Sequence, residues 1–146
     1  MAPLTRQEVL NILQRDWAEY IRRFRCLSPA SQSAFLVKQG YVRFADLLAH
    51  IVAWWQVGYR SVERYLADPA AQPKQYDVDT FNAEAVAKVA GLSEEQVVES
   101  FEQMRSFLVE FIKGLPDITF ENEKVVNQLS MDVVGHLSEH EILERE

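Results

Sequence analysis

The chain has 146 residues, a net charge of −7, almost half apolar residues and a quarter charged ones, a composition that suits one soluble globular domain with its own core and excludes a disordered chain. The acidic balance repels phosphate backbones, so nucleic acid is not an expected partner, and no apolar run reaches membrane-spanning length. The single cysteine, Cys26, cannot close an internal disulfide and "MAPLTRQEVL" lacks the apolar core of a signal peptide, which together predict a cytoplasmic protein.

"TRQE" at 5 to 8 is a capping box, with Thr5 accepting from the Glu8 amide and Glu8 reaching back. The helix it opens carries Val9, Leu10, Leu13, Trp17, Tyr20, Ile21 and Phe24 at steps of three and four, and is predicted to run to about Leu27. Arg22, Arg23 and Arg25 lie in its last turns, where cations complement the helix dipole. Cys26, between Phe24 and Leu27, is expected to be partly buried in a packing role.

Ser28, Pro29 and Gly40 read as the cap, first residue and stop of a short helix. From Phe44 a wide apolar stripe runs through Leu47, Leu48, Ile51, Trp54, Trp55, Gly58, Tyr59, Val62, Tyr65 and Leu66, enough for two neighbouring helices. Pro69 and Pro73 end it and open the longest irregular stretch, "ADPAAQPKQYDV".

Asp79 or Thr80 is the expected cap of the next segment, "FNAEAVAKVAG", with Gly91 as its left-handed terminator. The capping box "SEEQ" at 93 to 96 opens a long helix with Val97, Val98, Phe101, Met104, Phe107, Leu108, Phe111 and Ile112 inward and Gly114 and Pro116 at its end. After a less regular "ITFENEKVVNQLS", the helical period returns from about Ser130 to Leu143. No segment shows sustained strand alternation, so the predicted fold is all-α: an antiparallel four-helix bundle with additional short helices, one domain over 1–146.

The last helix can be written as a seam of Val126, Leu129, Val133, His136, His140 and Leu143, in which both histidines stand where a bundle expects leucine. The only other histidine, His50, lies beside the inward stripe between Leu47 and Trp54. If those helices are neighbours, all three imidazoles converge, and three neutral nitrogens with no thiolate suit zinc, nickel, iron or manganese with coordination positions left open. The plainer reading of such residues is satisfied core histidines. Trp54, Leu47 and Val133 are expected to wall an apolar pocket beside the site, with Trp55 facing elsewhere, toward a partner subunit. Asp132, one turn before His136, is the expected orienting carboxylate or general base, whereas Glu139 and Glu144 read as a solvated face.

A histidine in "DLLAHIVAWW", the middle "FNAEAVAKVAGLSEEQVV" and the terminal "VVGHLSEH" occur in an order that resembles the DinB-like (DinB/YfiT-like) superfamily of four-helix-bundle metalloenzymes over essentially the whole chain. The resemblance implies that His50, His136 and His140 are the ligands of a divalent metal, zinc or nickel foremost. The middle segment is also similar to the N-terminal domain of mycothiol-dependent maleylpyruvate isomerases and to the stress-protection branch called DfsB-like. These relatives imply a hydrolase or a transferase using a low-molecular-weight thiol on an electrophilic small molecule, in a homodimer. The alternative is a non-catalytic helical bundle that binds a ligand or partner and uses the histidines as structure.

Overall fold

The computed structural model describes residues 4–143, and every regular element among them is helical. The first run, α1 (residues 6–25), starts at the predicted box: Glu8 N–H donates to Thr5 Oγ1 at 3.1 Å and Thr5 N–H to Glu8 Oε1 at 3.0 Å. α2 (Pro29–Gln39) has Ser28 as its cap and ends on Gly40, whose φ of 85° is the left-handed turn that a side chain would strain. α3 (Phe44–Ala67) is the central helix and packs on all the later ones.

α4 (Val78–Lys88) is capped by Asp77, which accepts from Thr80 N–H at 3.2 Å, two or three residues earlier than the expected Asp79 or Thr80. Gly91 does not terminate it: the helix closes at Val89, and Gly40 is the only left-handed glycine among the described residues. α5 (Glu94–Gly114) opens on the predicted Ser93 box. After a 3-10 turn at Asp117–Glu121, α6 (residues 123–139) completes the fold. It ends at His140 rather than Leu143.

Both α1 and α6 contain a stretch of π-helix, at Ile12–Asp16 and Ser130–Gly135. A π turn disturbs the regular ladder and lets carbonyls seek outside donors. In α1 the Leu13 carbonyl accepts from Arg105 Nη1 of α5 at 3.1 Å. In α6 the Asp132 and Val133 carbonyls accept from the indole N–H groups of Trp55 and Trp17, at 3.0 and 2.9 Å. The predicted seam is kept only in part. Val125 and Ile142 are buried, while Val126 is half-buried and Leu143 is exposed, so the predicted seam holds only at Leu129, Val133, His136 and His140.

The core centres on Trp17, Tyr20, Trp55 and Phe101, all essentially inaccessible, with Trp17 meeting Trp55 edge-on at 5.0 Å between ring centroids. Phe24 and Phe44 stack at 3.8 Å and close one end. Trp55 therefore faces the interior and not a partner subunit, because its stripe position lies between α1 and α5. Cys26 is exposed rather than partly buried, since α1 has ended at Arg25. On α5, Val109 takes an inward position and Phe107 is 44% exposed, edge-on to Tyr59 and stacked parallel to Phe111.

Long-range polar ties set the helix ends. Arg6 bonds the Ile112 and Leu115 carbonyls and Asp117, joining the start of α1 to the end of α5. Arg25 bridges to Glu94 and Glu95 at 3.0 and 2.7 Å, so this part of the basic cluster links two helices as well as facing a helix C-terminus. No described helix is long and apolar enough to cross a membrane.

Replacing Trp55 by Phe keeps most of the packing but leaves the Asp132 carbonyl without its indole donor. The expected loss is about 1–3 kcal/mol in urea unfolding, and an unchanged midpoint would show that the π turn does not depend on this bond.

Candidate metal centre

Each histidine is brought to the site by a different local device. His50 sits two turns into α3, whose first turn is fixed by Arg43: its guanidinium pairs with Asp46 at 2.8 Å and donates to the Val89 and Leu92 carbonyls beyond α4. This ties the start of α3 to the end of α4. The left-handed turn at Gly40 then places its two neighbours usefully: the Tyr41 ring lies 5.5 Å from His50, and Gln39 reaches His140. On α6, Tyr20 Oη donates to the His140 carbonyl at 2.7 Å, just as Trp17 and Trp55 hold the carbonyls upstream. Three buried aromatic donors thus fix the backbone that carries His136 and His140.

The three imidazoles do meet. One ring nitrogen from each of His50, His136 and His140 lies within 4.8 Å of the others, and His50 Nε2 faces His140 Nε2 at 3.2 Å. The ring centroids are 5.0 to 5.6 Å apart.

The surrounding hydrogen bonds determine which nitrogens carry protons. Asn82 Oδ1 accepts from Trp54 Nε1 at 2.7 Å, and because an indole can only donate, that amide atom must be the oxygen. His50 Nδ1, 3.0 Å from the same oxygen, must therefore hold a proton. Gln39 is oriented in the same way: its Nε2 donates to the Glu139 carbonyl at 3.3 Å, which turns Oε1 toward His140 Nδ1 at 2.6 Å. In the neutral state both Nε2 atoms are then bare lone pairs pointing at one another across 3.2 Å. Two facing acceptors repel unless a cation lies between them. His136 adds a buried Nδ1 with no hydrogen-bond partner.

Burial keeps the rings neutral. It pushes His50 and His136 down to about 4 and His140 down to about 3, with the neighbouring imidazoles adding to the depression of His50 and His140. Neutral imidazole is the form that binds metal. Three neutral nitrogens, two of them with outward N–H groups already held, therefore fit a borderline divalent cation.

Asp132 is not the partner of these rings. Its side chain leans toward the N-terminus of α6, as helical side chains do, and so accepts from Gln128 Nε2 at 2.9 Å while lying hard against Gly58 of α3. A methyl group at position 58 would overlap the carboxylate. Burial raises this carboxyl to about 7, opposed only by the Gln128 bond. Among the acids, Glu139 comes nearer the site, with Oε2 at 3.9 Å from His140 Nε2 and a mostly exposed side chain. Glu144 lies outside the described residues.

Leu47 and Val133, expected to wall a pocket, are core residues at 0% and 2% exposure. Trp54 is half-buried and takes part through Asn82, within an aromatic group completed by Tyr76 and Phe81. Asn82, Gln39 and Tyr41, and the hydrogen-bonding role of Tyr20, are what sequence reasoning missed. An amide or a tyrosine carries no spacing signal, and their partners lie 9 to 120 residues away.

Two pH effects of opposite sign follow. The three histidines titrate near 6.5 when unfolded and far lower when folded, so the unfolded chain binds more protons and stability falls as pH drops from about 6.5 to about 4. Asp132 does the reverse: its folded carboxyl titrates near 7 against 3.8, which costs stability as pH rises through that window. Asp132→Asn should therefore raise the stability of the metal-free protein at about pH 8 by at most about 4 kcal/mol and change it little at about pH 4. Urea midpoints across that range test both; an Asp132→Asn profile flat from about pH 7 to 4, with the opposing carboxyl removed, would contradict the histidine assignment. Gly58→Ala should lower the midpoint, with partial recovery in the Gly58→Ala/Asp132→Ala double variant.

Comparison of the chain with protein-family models, with curated proteins and with solved structures gives no match in any of the three.

Proposed function

We propose that this chain is an antiparallel four-helix bundle of DinB-like type in which His50, His136 and His140 hold one divalent cation, zinc or nickel foremost and iron or manganese next. The observation that carries the proposal is the pair of Nε2 lone pairs turned toward each other at 3.2 Å, with a third ring nitrogen within 4.8 Å. Asn82 and Gln39 hold the outer N–H groups of two ligands, and both are neutral amides, so nothing in this outer layer offsets the charge of the ion.

When bound, such an ion supplies Lewis acidity, lowering the pKa of a coordinated water or of a small-molecule thiol. The proposed reaction class is accordingly hydrolysis, or thiol-dependent transfer, on an electrophilic small molecule, with a low-molecular-weight thiol as the co-substrate in the second case. Glu139, exposed and 3.9 Å from His140 Nε2, is the carboxylate in reach of a proton released at the centre. Tyr41 contributes a wall and, with burial holding its hydroxyl up at about 12, stays a neutral phenol at physiological pH. Homodimeric assembly and a cytoplasmic setting belong to the same proposal, the second supported by the single unpaired cysteine.

One observation favours a second reading. His50 and His140 are each only 7% exposed, so the cation could serve as a structural pin for α6 with no access for substrate. Elemental analysis of protein prepared without an affinity tag should find about one zinc or nickel per chain. Added metal should stabilise the stripped protein, by about 2.7 kcal/mol at a hundredfold excess over Kd. His136→Ala should abolish both effects while the helical circular dichroism remains. Absence of metal together with no stabilisation would overturn the proposal, and unfolding of the stripped protein would select the structural reading.

A further inference from the structure

The three imidazoles are alike in chemistry but not in surroundings. His50 and His140 each donate their Nδ1–H to an amide oxygen, of Asn82 and Gln39, and so present Nε2 to the cluster. His136 has no hydrogen-bond partner at either nitrogen among the described residues. Its two nitrogens nonetheless differ. Nδ1 is sealed from solvent, whereas the ring as a whole is half-buried and Nε2 is not sealed.

A helical side chain leans over the turn that precedes it, so the acceptors open to a proton on Nδ1 are those three to five residues back. All of them are engaged elsewhere. The Met131 carbonyl accepts the His136 amide N–H in the π pattern, and the Asp132 and Val133 carbonyls accept the indole N–H groups of Trp55 and Trp17. The Asp132 carboxylate, the acceptor that spacing alone would assign, takes its bond from Gln128.

A neutral imidazole carries one proton, and burial keeps this ring neutral. On Nδ1 that proton would be a buried donor with no acceptor, among the costlier defects of a protein interior. On Nε2 it meets water. The proton therefore belongs on Nε2, which leaves Nδ1 as a sealed lone pair lacking a partner.

We propose that His136 binds the cation through Nδ1, so that the ligand atoms are Nε2 of His50, Nε2 of His140 and Nδ1 of His136, with the His136 Nε2–H left in solvent at the edge of the site. The inference rests on the three-histidine metal reading and specifies which atom the third ligand contributes. It also sets His136 apart in how it is held. His50 and His140 keep their amide bonds whether or not an ion is bound, while the ring of His136 has the cation as its one polar partner within the protein.

The test uses the full chain, isotope-labelled and loaded with zinc, and long-range proton–nitrogen correlation, which tells the two nitrogens of each ring apart by their couplings to the ring carbon protons. His136 should show its proton on Nε2 and the zinc-induced shift on Nδ1, with the reverse at His50 and His140. Zinc affinity gives a second readout. An aspartate oxygen lies as many bonds from Cα as Nδ1 does, and a glutamate oxygen as many as Nε2. His136→Asp should accordingly bind zinc at least about tenfold more tightly than His136→Glu, and His50→Glu more tightly than His50→Asp by a similar factor. Where a carboxylate variant fails to fold, the wild-type spectrum decides alone. Zinc on Nε2 of all three rings, a His136→Glu affinity equal to or above that of His136→Asp, or a preference for aspartate at both positions would overturn this inference and leave the metal centre standing. A wild-type chain that binds no zinc would overturn the metal centre itself.

Discussion

Two imidazole nitrogens that can only accept stand 3.2 Å apart inside the protein, and the rest of the site is arranged so that they cannot turn away. His50 is held by an amide oxygen whose own identity is fixed by an indole donor, and His140 by an amide oriented through a backbone carbonyl. Rotating either ring would break a bond of about 1 kcal/mol net and leave a buried donor unmet at a larger cost. Protonating the pair would relieve the repulsion, but burial holds both rings neutral far below physiological pH. A cation is the remaining way to satisfy both lone pairs at once.

Holding that arrangement is the task of the fold around α6. This helix buries rather little apolar surface, chiefly Val125, Leu129 and Val133, and packing alone would not set its rotation to the fraction of an ångström a ligand set needs. The π turn at Ser130–Gly135 helps by presenting backbone carbonyls sideways, where Trp17 of α1 and Trp55 of α3 can donate to them. Tyr20 fixes the chain again at His140. The aromatic core thus does two things with the same residues: its ring faces exclude water, and its polar tips orient the stretch of backbone that carries two of the three clustered histidines. The corresponding π turn of α1, satisfied by Arg105, repeats the device where no ligand is involved.

Charge is distributed with similar economy. A chain of net charge −7 keeps carboxylates out of contact with the outer nitrogens of His50 and His140 and uses neutral amides there instead. Of the two buried acids near this region, Asp46 is paired with Arg43, and Asp132 faces Gly58 and Gln128 and not an imidazole. The glycine is what makes room for it, since any β-carbon at position 58 would occupy the space of the carboxylate. Asp132 and Gly58 therefore form a packing pair across α6 and α3, at a cost in stability that the neighbouring core offsets.

What the amino-acid order alone determined is the set of helices and the identity of the three histidines that cluster. Capping boxes at Thr5 and Ser93, the Ser28–Pro29 start and the Gly40 stop are local chemistry, decided within four residues, and they hold in the fold. The placement of His50, His136 and His140 on inward stripes was legible for the same reason, because helical periodicity is a local property. Everything that depends on contacts distant in sequence was decided only by the tertiary structure. The last helix stops at His140, so the periodicity no longer governs Ile142, which is buried, or Leu143, which is exposed, and no residue pattern announces a π turn whose carbonyls are satisfied by side chains about eighty to a hundred and twenty positions away. Asp132 was a natural partner for His136 by spacing, yet side-chain lean and the gap over Gly58 sent it elsewhere. The amides that do orient the rings, Asn82 and Gln39, stand 32 and 101 residues from their histidines, and a hydrogen bond across that distance exists only once the helices have packed.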